Sequence, residues 1–419
     1  MKIIVIGSGL IGVTSAYFLR RRGWEVTVID RQAGPGRETS FANGTLLTPS
    51  MPEPWNAPGC WRVLLASLGR SDAAMQLRVR ALPGLLGWGI EFLRNSRAAT
   101  FERSVLSNLR LALYSLEVMR SLRQQTGIEY GRAARGTLRV FRDRPTLDRA
   151  CAAAGLLAPE GLRFRLLSKE ETIGFEPALA PIAEQLAGAL HYEADETGDA
   201  HGFCVSLAGQ SSERGVEFRF STEVTSLECH AGQVKAVVSG RERFVADKYI
   251  VAAGSYSAPL LRRLGMHLPV RPAKGYSITF DRSSASLNVP VVDDHLHAAV
   301  VPLKGAIRVA GTAEFAGYNL TLNPSRIRNL LALLQQVLPR EHFDIAAARP
   351  WCGLRPMSAD GVPIIGPTSL PNLLVNTGHG HLGWTMAAGS AQLLVDLMGG
   401  DSLSIDPSPF ALARFTATR

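Results

Sequence analysis

Cysteine is scarce: five in 419 residues, at positions 60, 151, 204, 229 and 352. None forms a Cys-x-x-Cys pair, which argues against a disulfide framework, a zinc site or an iron–sulfur cluster. A reducing cytoplasm is the expected home. No uninterrupted apolar run approaches the roughly 18 residues of a membrane-spanning helix. The chain opens straight onto an apolar run with no basic leader, so no signal peptide is expected. Internal repeats and low-complexity tracts are absent. The net charge is +9, yet the basic residues are spread out, with no run of five and no interleaved aromatics. No nucleic-acid partner is therefore expected. An anionic membrane surface and a solvated arginine-rich surface remain two readings of the charge. At 419 residues the chain exceeds one ordinary core, and two domains are expected.

What is present begins at once, in "KIIVIGSGLIGVTSAYFLRRRGWEVTVIDR". The run Ile3–Ile6 predicts a strand, Val13–Arg22 a helix closed by Gly23, and Val26–Ile29 a second strand stopping at Asp30. Between the first two stand Gly7, Gly9 and Gly12. In a G-x-G-x-x-G turn the first glycine allows the tight exit from the strand. The second lets the backbone approach a pyrophosphate, and the third brings helix close to sheet. The helix N-terminus then offers free N–H groups to the phosphates. Asp30 follows Gly12 by 18 residues, where a carboxylate can accept ribose hydroxyls and repel a 2′-phosphate. This βαβ unit predicts a dinucleotide, and leaves NAD and FAD both open.

After it comes the loop "GPGRETSFANG", whose small residues could lie against a flat ligand. Residues 215–257 predict short strands at Phe218–Phe220, Val224–Leu227, Val234–Val238 and Arg243–Val245. Another, Tyr249–Ala252, ends in Ala253 and Gly254. Near the C-terminus, "NLLVNTGHGHLGWTMAAGSAQLLVDLMGG" reads as strand Leu373–Asn376, a glycine loop, and helix Trp384–Leu397. A second helix start of this kind can face the partial negative charge at N1 and O2 of a reduced flavin. A nicotinamide enzyme has no need of it.

Together these pieces resemble the flavin-dependent D-amino acid oxidase superfamily, and within it the bacterial D-amino acid dehydrogenase small-subunit group. The likeness spans essentially the whole chain. It rests on the opening unit, "ETSFANG", "DETGDAHGF", "PAKGYSIT", "GLRPMSADGVPIIG" and "GHGHLGWTMAAGS". The resemblance implies FAD and a mixed α/β fold: a Rossmann-like FAD-binding domain with a second, antiparallel-sheet substrate domain. We expect residues 1–85, 190–266 and 348–419 in the first domain, and 86–189 and 267–347 in the second. Matched motifs imply that Gly7, Ser8, Gly9, Ile11 and Gly12 take the pyrophosphate, and that Asp30 and Arg31 hold the adenosine ribose. Glu38, Ser40, Ala42 and Asn43 would line the path to the flavin. Val224 would meet adenine through its backbone, Ala253 and Gly254 would sit beside the cofactor, and Gly378, Gly380, His381, Leu382, Gly383 and Trp384 would surround the pyrimidine end. Where the group continues "ANAGEVSPGY", this chain has "ANGTLLTPSM", which leaves substrate choice open.

The implied reaction is oxidation of a D-amino acid, with hydride passing from Cα to flavin N5. The imino acid is hydrolysed to a 2-oxo acid, and electrons go on to a quinone or other carrier. D-proline or hydroxy-D-proline, and an oxygen-using oxidase of the glycine or sarcosine kind, are the alternatives. An RNA-modifying flavoprotein is a remote one. No residue is singled out as a catalytic acid or base, and no metal is expected. Arg355 is the expected substrate residue, since a guanidinium suits a carboxylate and would be partly enclosed between Leu354 and Pro356; pairing with Asp360 or Glu341 is the alternative. Tyr276 could add a hydroxyl to the same carboxylate or belong to the core. His379 could touch the amine or cap its loop. Lys274 reads as a solvated charge. Ser107–Gly127 predicts an amphipathic helix with a serine cap, and Pro324–Pro339 another helix. Arg80–Asn95 could rest on a membrane surface or pack on the substrate domain.

Overall fold

The computed structural model describes residues 1–67, 75–281 and 287–415. Two large sheets organise it. The first has six strands in the order Ile364–Pro367, Leu373–Thr377, Lys248–Val251, Lys2–Ile6, Glu25–Ile29 and Glu217–Arg219, all parallel neighbours except the first pair. Its inner strands are largely apolar on both faces because both faces are covered, whereas the edge strand Glu217–Arg219 is polar and partly exposed. Ile3 and Val5 point toward helices Leu10–Arg21, Ala98–Thr126 and Gly383–Gly399. Ile4 and Ile6 point the other way, onto the small sheet Ser226–His230, Gln233–Ser239 and Glu242–Phe244.

The helix beginning at Ser107 in the sequence reading in fact starts nine residues earlier. It runs Ala98–Thr126, capped at its C-terminus by left-handed Gly127. Ser107 caps nothing; its hydroxyl donates to the Arg103 carbonyl one turn back, within the helix. This helix lies in the stretch expected for the substrate domain, yet it packs against the C-terminal helix. There a Cβ on Gly389 would stand 2.8 Å from the Ser115 Cα, and Ser115 Oγ accepts the Gly389 N–H. The small residues of "AAGSA" permit that approach.

The second sheet runs Arg349–Ser358, Val270–Asp281, Ala306–Phe315, Ala298–Leu303, Val291–Asp293, Thr137–Phe141, Gly188–Tyr192 and Arg165–Leu167. It is antiparallel except where Val291–Asp293 meets Thr137–Phe141, and where the extra strand Met75–Leu77 joins Ala306–Phe315. Helix Pro324–Val337 covers one face with Leu330, Leu334 and Val337 against Ile278, Val300 and Val309. Strand Arg349–Ser358 lies past the boundary expected at 348 but pairs for its whole length with Val270–Asp281, in the second sheet. Arg355, opposite Ala273, thus belongs to the second sheet.

Arg80–Asn95 forms a turn of 3-10 helix and then helix Leu82–Arg94. Leu85, Trp88 and Phe92 are buried against Ala273, Phe315 and Met357. The opposite face leaves Leu86, Ile90 and Leu93 exposed. Among the described residues no helix is long and apolar enough to cross a membrane.

Candidate active site

A cleft of about 1890 Å³ runs between the two sheets. At one end the first strand gives way to Gly7, whose φ is +106°; a Cβ there would lie 2.6 Å from the Ala252 carbonyl oxygen. A Cβ on Gly12 would lie 1.8 Å from the Gly7 oxygen, so only glycine lets the helix come this close to the strand end. Gly9 is extended and makes no side-chain cap. Ser40 Oγ accepts the Leu10 N–H at 3.1 Å. The N–H groups of Ile11 and Gly12, second and third in the helix, have no intrahelical acceptor. Gly9 and Ile11 line the cleft here. An uncapped helix start beneath a glycine turn fits a pyrophosphate.

Asp30 takes the Ser8 N–H and Oγ–H on one carboxylate oxygen, at 2.6 and 2.8 Å, and the Gln32 N–H on the other at 2.8 Å. A carboxylate offers about four acceptor positions, so room remains for a hydroxyl. Arg31 is ion-paired to Glu38 at 2.6 Å and stacked over Tyr256, its Cζ 3.8 Å from the ring centroid. Val224, Ala253 and Gly254 line this same end. Further along, the loop of Ala42 and Asn43 is tied to the second sheet. Ser277 donates to the Ala42 carbonyl and Arg308 to that of Asn43.

At the far end the cleft meets the C-terminal glycine loop. Gly380, His381, Gly383 and Trp384 line it. Helix Gly383–Gly399 begins here with no side-chain cap. The Trp384 ring packs inward on Phe203 and Tyr130, and its indole N–H donates to the Gly198 carbonyl. Ser8, Gly12, Gly378 and Leu382 do not face the cleft; they are buried behind it and shape the turns.

Arg355, Tyr276 and His379 all reach the cleft wall. The Arg355 guanidinium lies across Gly275, where a Cβ would come within 2.4 Å of its Cζ, and 5.5 Å from the Trp55 ring centroid. Among the described residues no carboxylate pairs with it, and its nearest acceptor is the Thr312 carbonyl at 3.5 Å. Burial pushes it down to about 10. Asp360, the alternative partner considered from the sequence, is taken by Arg414 at 2.7 and 3.0 Å. The Tyr276 hydroxyl is committed to Glu314, which also takes Arg78 and Lys274. Lys274 is therefore buried and paired rather than solvated. His379 Nε2 bonds Ser390 Oγ at 2.9 Å; that hydroxyl donates onward to the Met386 carbonyl, so Nε2 carries the hydrogen. Nδ1 is left as a buried acceptor without a partner. Burial drives His379 down to about 3; burial and then the Arg355 charge take His381 to about 4. Both imidazoles are neutral at pH 7.

Sequence reasoning missed Trp55, Glu53 and Thr312. Trp55 stacks on His381, ring centroids 5.7 Å apart. Thr312 is the extra residue of a bulge between Ala306–Phe315 and Val270–Asp281, left-handed at φ +53° with its hydroxyl buried and unpartnered. A β-branched residue in that region is strained, and a string of residues that reads as plain strand carries no signal of it.

A parallel sheet with a glycine-turn helix at each end of one long cleft defines a flavin-type dinucleotide oxidoreductase. The chain belongs to the FAD-dependent oxidoreductase family, whose model matches residues 2–397. It is similar to the D-amino acid dehydrogenase of Paramagnetospirillum magneticum, 41% identical over 100% of this chain and 99% of that one. In fold it resembles glycine oxidase from Geobacillus kaustophilus (TM-score 0.77, 22% identity, 98% of each chain). L-proline dehydrogenase from P. horikoshii is a second such likeness (TM-score 0.79, 18% identity, 99% of this chain and 98% of that one).

Proposed function

We propose that this chain oxidises free D-amino acids to imino acids and hands the electrons to a quinone or another carrier rather than to oxygen. The observation that carries the reading is the enclosed, unpaired guanidinium of Arg355. A buried cation without a counter-ion is costly, and a substrate carboxylate is the partner that would relieve it. FAD, when bound, supplies a two-electron acceptor for the α-hydrogen. Gly9, Ile11, Asp30, Arg31 and Ser40 are the residues we assign to holding it, with Gly380, His381 and Gly383 at the flavin end. Arg355 fixes the carboxylate and so orients Cα. Neutral His379 offers Nδ1 as an acceptor to the substrate amine, and neutral His381 with Trp55 walls the site against water. The D preference follows the similarity to D-amino acid dehydrogenases over the full chain.

The test is anaerobic. D- and L-amino acids, prolines included, are added one at a time to the yellow protein, and flavin absorbance is followed. Bleaching by D-amino acids is expected, and bleaching by none sinks the reading. Stoichiometric peroxide in air would assign an oxidase instead. We also assign the exposed apolar face formed by Leu86, Ile90 and Leu93, with Trp61 and Leu65 on the neighbouring helix Cys60–Ala66, to a membrane surface that carries the acceptor. Co-sedimentation with anionic vesicles should fall at least fivefold in a Leu86→Asp/Ile90→Asp double variant; unchanged binding discards that assignment.

A further inference from the structure

Between Ser50 and Asn56 the chain runs without helix or turn of strand pairing, and its side chains alternate. Pro52 and Pro54 are buried and Met51, Glu53 and Trp55 half-buried; these last three line the cleft, with Pro54 between them at its wall. In extended backbone every second side chain faces the same way. Met51 and Trp55 both meet His381, the first through its backbone and the second through its ring. Trp55 also lies beside Arg355. Glu53 is thus presented to the substrate end from the middle of this short segment.

Its carboxylate takes the N–H of its own backbone, and among the described residues no other side chain is hydrogen-bonded or ion-paired to it. The cation that acts on it is Arg139, but Arg139 gives both Nε and Nη2 to Asp294, at 2.9 and 2.5 Å. Two acids therefore face one base, and the wall carries an uncompensated negative charge when Glu53 is ionised. Burial pushes the Glu53 carboxyl up, and the Arg139 charge offsets this only in part. Across the site Arg355 is uncompensated in the opposite sense. Glu53, Arg139 and Asp294 also bound a side cavity of about 220 Å³ that leads on to Tyr192 and Arg149. The cleft therefore has depth beyond the carboxylate site for a long side chain.

We infer that Glu53 selects substrates with a cationic side chain: the α-carboxylate sits on Arg355 and a terminal ammonium or guanidinium pairs with Glu53. The inference rests on the amino acid reading above and sharpens it to long basic D-amino acids. Holding the α-ammonium instead would make Glu53 indifferent to the side chain.

D-lysine and D-norleucine separate these cases, since they differ only in the ε-ammonium. With the flavin-loaded wild-type protein, kcat/KM for D-lysine should exceed that for D-norleucine at least tenfold. Glu53→Gln should shrink the ratio at least tenfold, and Glu53→Ala should do the same, with the flavin spectrum reporting an intact site in both. A wild-type protein that favours D-norleucine overturns the inference while leaving the proposed reaction in place. So does a Glu53→Gln variant that slows both substrates alike, which would place the carboxylate at the α-amine. Bleaching by neither substrate, nor by any other amino acid, removes the proposed reaction and this inference with it.

Discussion

At the end of the cleft we assign to the dinucleotide the polar groups bond to one another: Ser8 to Asp30, Arg31 to Glu38, Leu10 N–H to Ser40. At the other end, which we assign to the substrate, several are left over. Among the described residues Arg355 has no carboxylate, Glu53 no cation of its own, and His379 Nδ1 and Thr312 Oγ1 no partner. The first end is a finished cradle built from glycines and backbone N–H groups. The second keeps its charges unspent for a ligand, at the cost of stability that buried unpaired groups impose.

Breaking the cradle should have the largest effect. Gly12→Ala forces a Cβ onto the Gly7 carbonyl oxygen, and overpacking against backbone costs at least about 3 kcal/mol. The variant is expected to be insoluble or colourless. Gly9→Ala meets only the Ser40 hydroxyl, at 3.3 Å, so it should fold and yet hold less flavin. Equal flavin content in Gly9→Ala and wild type would mean that the turn does not face the cofactor.

Breaking the substrate end comes next. Removing one member of a desolvated charge pair costs about 2–5 kcal/mol, so Arg355→Ala should lower kcat/KM by about 10²- to 10³-fold while keeping the yellow spectrum. Arg355→Lys should recover part of the loss. An unchanged KM in Arg355→Ala would detach the guanidinium from the substrate.

The buried imidazoles give a smaller, pH-dependent effect. Their folded values, about 3 for His379 and about 4 for His381, lie below the ordinary 6.5 of histidine. The unfolded chain therefore takes up protons that the folded one refuses. Stability is full above about pH 6.5 and falls on acidification toward those folded values, by up to about 1.4 kcal/mol per pH unit for His379 and less for the partly exposed His381. Melting temperatures between pH 7 and 4.5 should drop more steeply for wild type than for His379→Gln. Parallel curves would show that His379 is not held neutral.

The smallest effect is at Thr312. A glycine there removes about 1–2 kcal/mol of left-handed strain but loses a buried side chain and gains chain entropy. Thr312→Gly should lie within about 1 kcal/mol of wild type in urea unfolding and raise KM, because its carbonyl no longer sits at a defined place beside Arg355. A loss above about 3 kcal/mol would mean that the threonine side chain is structural.

Local signals made the cradle legible. Gly7, Gly9, Gly12 and Asp30 fall within thirty residues of chain, in a strand–turn–helix–strand whose periodicity is written in the residues themselves. The C-terminal helix and its glycine loop were readable for the same reason. The Ser107 cap was misread because an interior serine and a capping serine look alike until the preceding turn is known to be helical. Tyr276 was left between substrate and core; Glu314, nearly forty residues on, takes its hydroxyl.

By itself, then, the sequence determined the two glycine turns, the acid that follows the first, and the arginine of "GLRPM", since each depends on backbone sterics or on a charge with apolar neighbours. Only the tertiary structure decided which charges stay unpaired. Asp360 went to Arg414 and Asp294 to Arg139, leaving Arg355 and Glu53 facing one cleft. Pairing is a competition among groups far apart in the chain, and its outcome depends on distances in space that no local pattern contains.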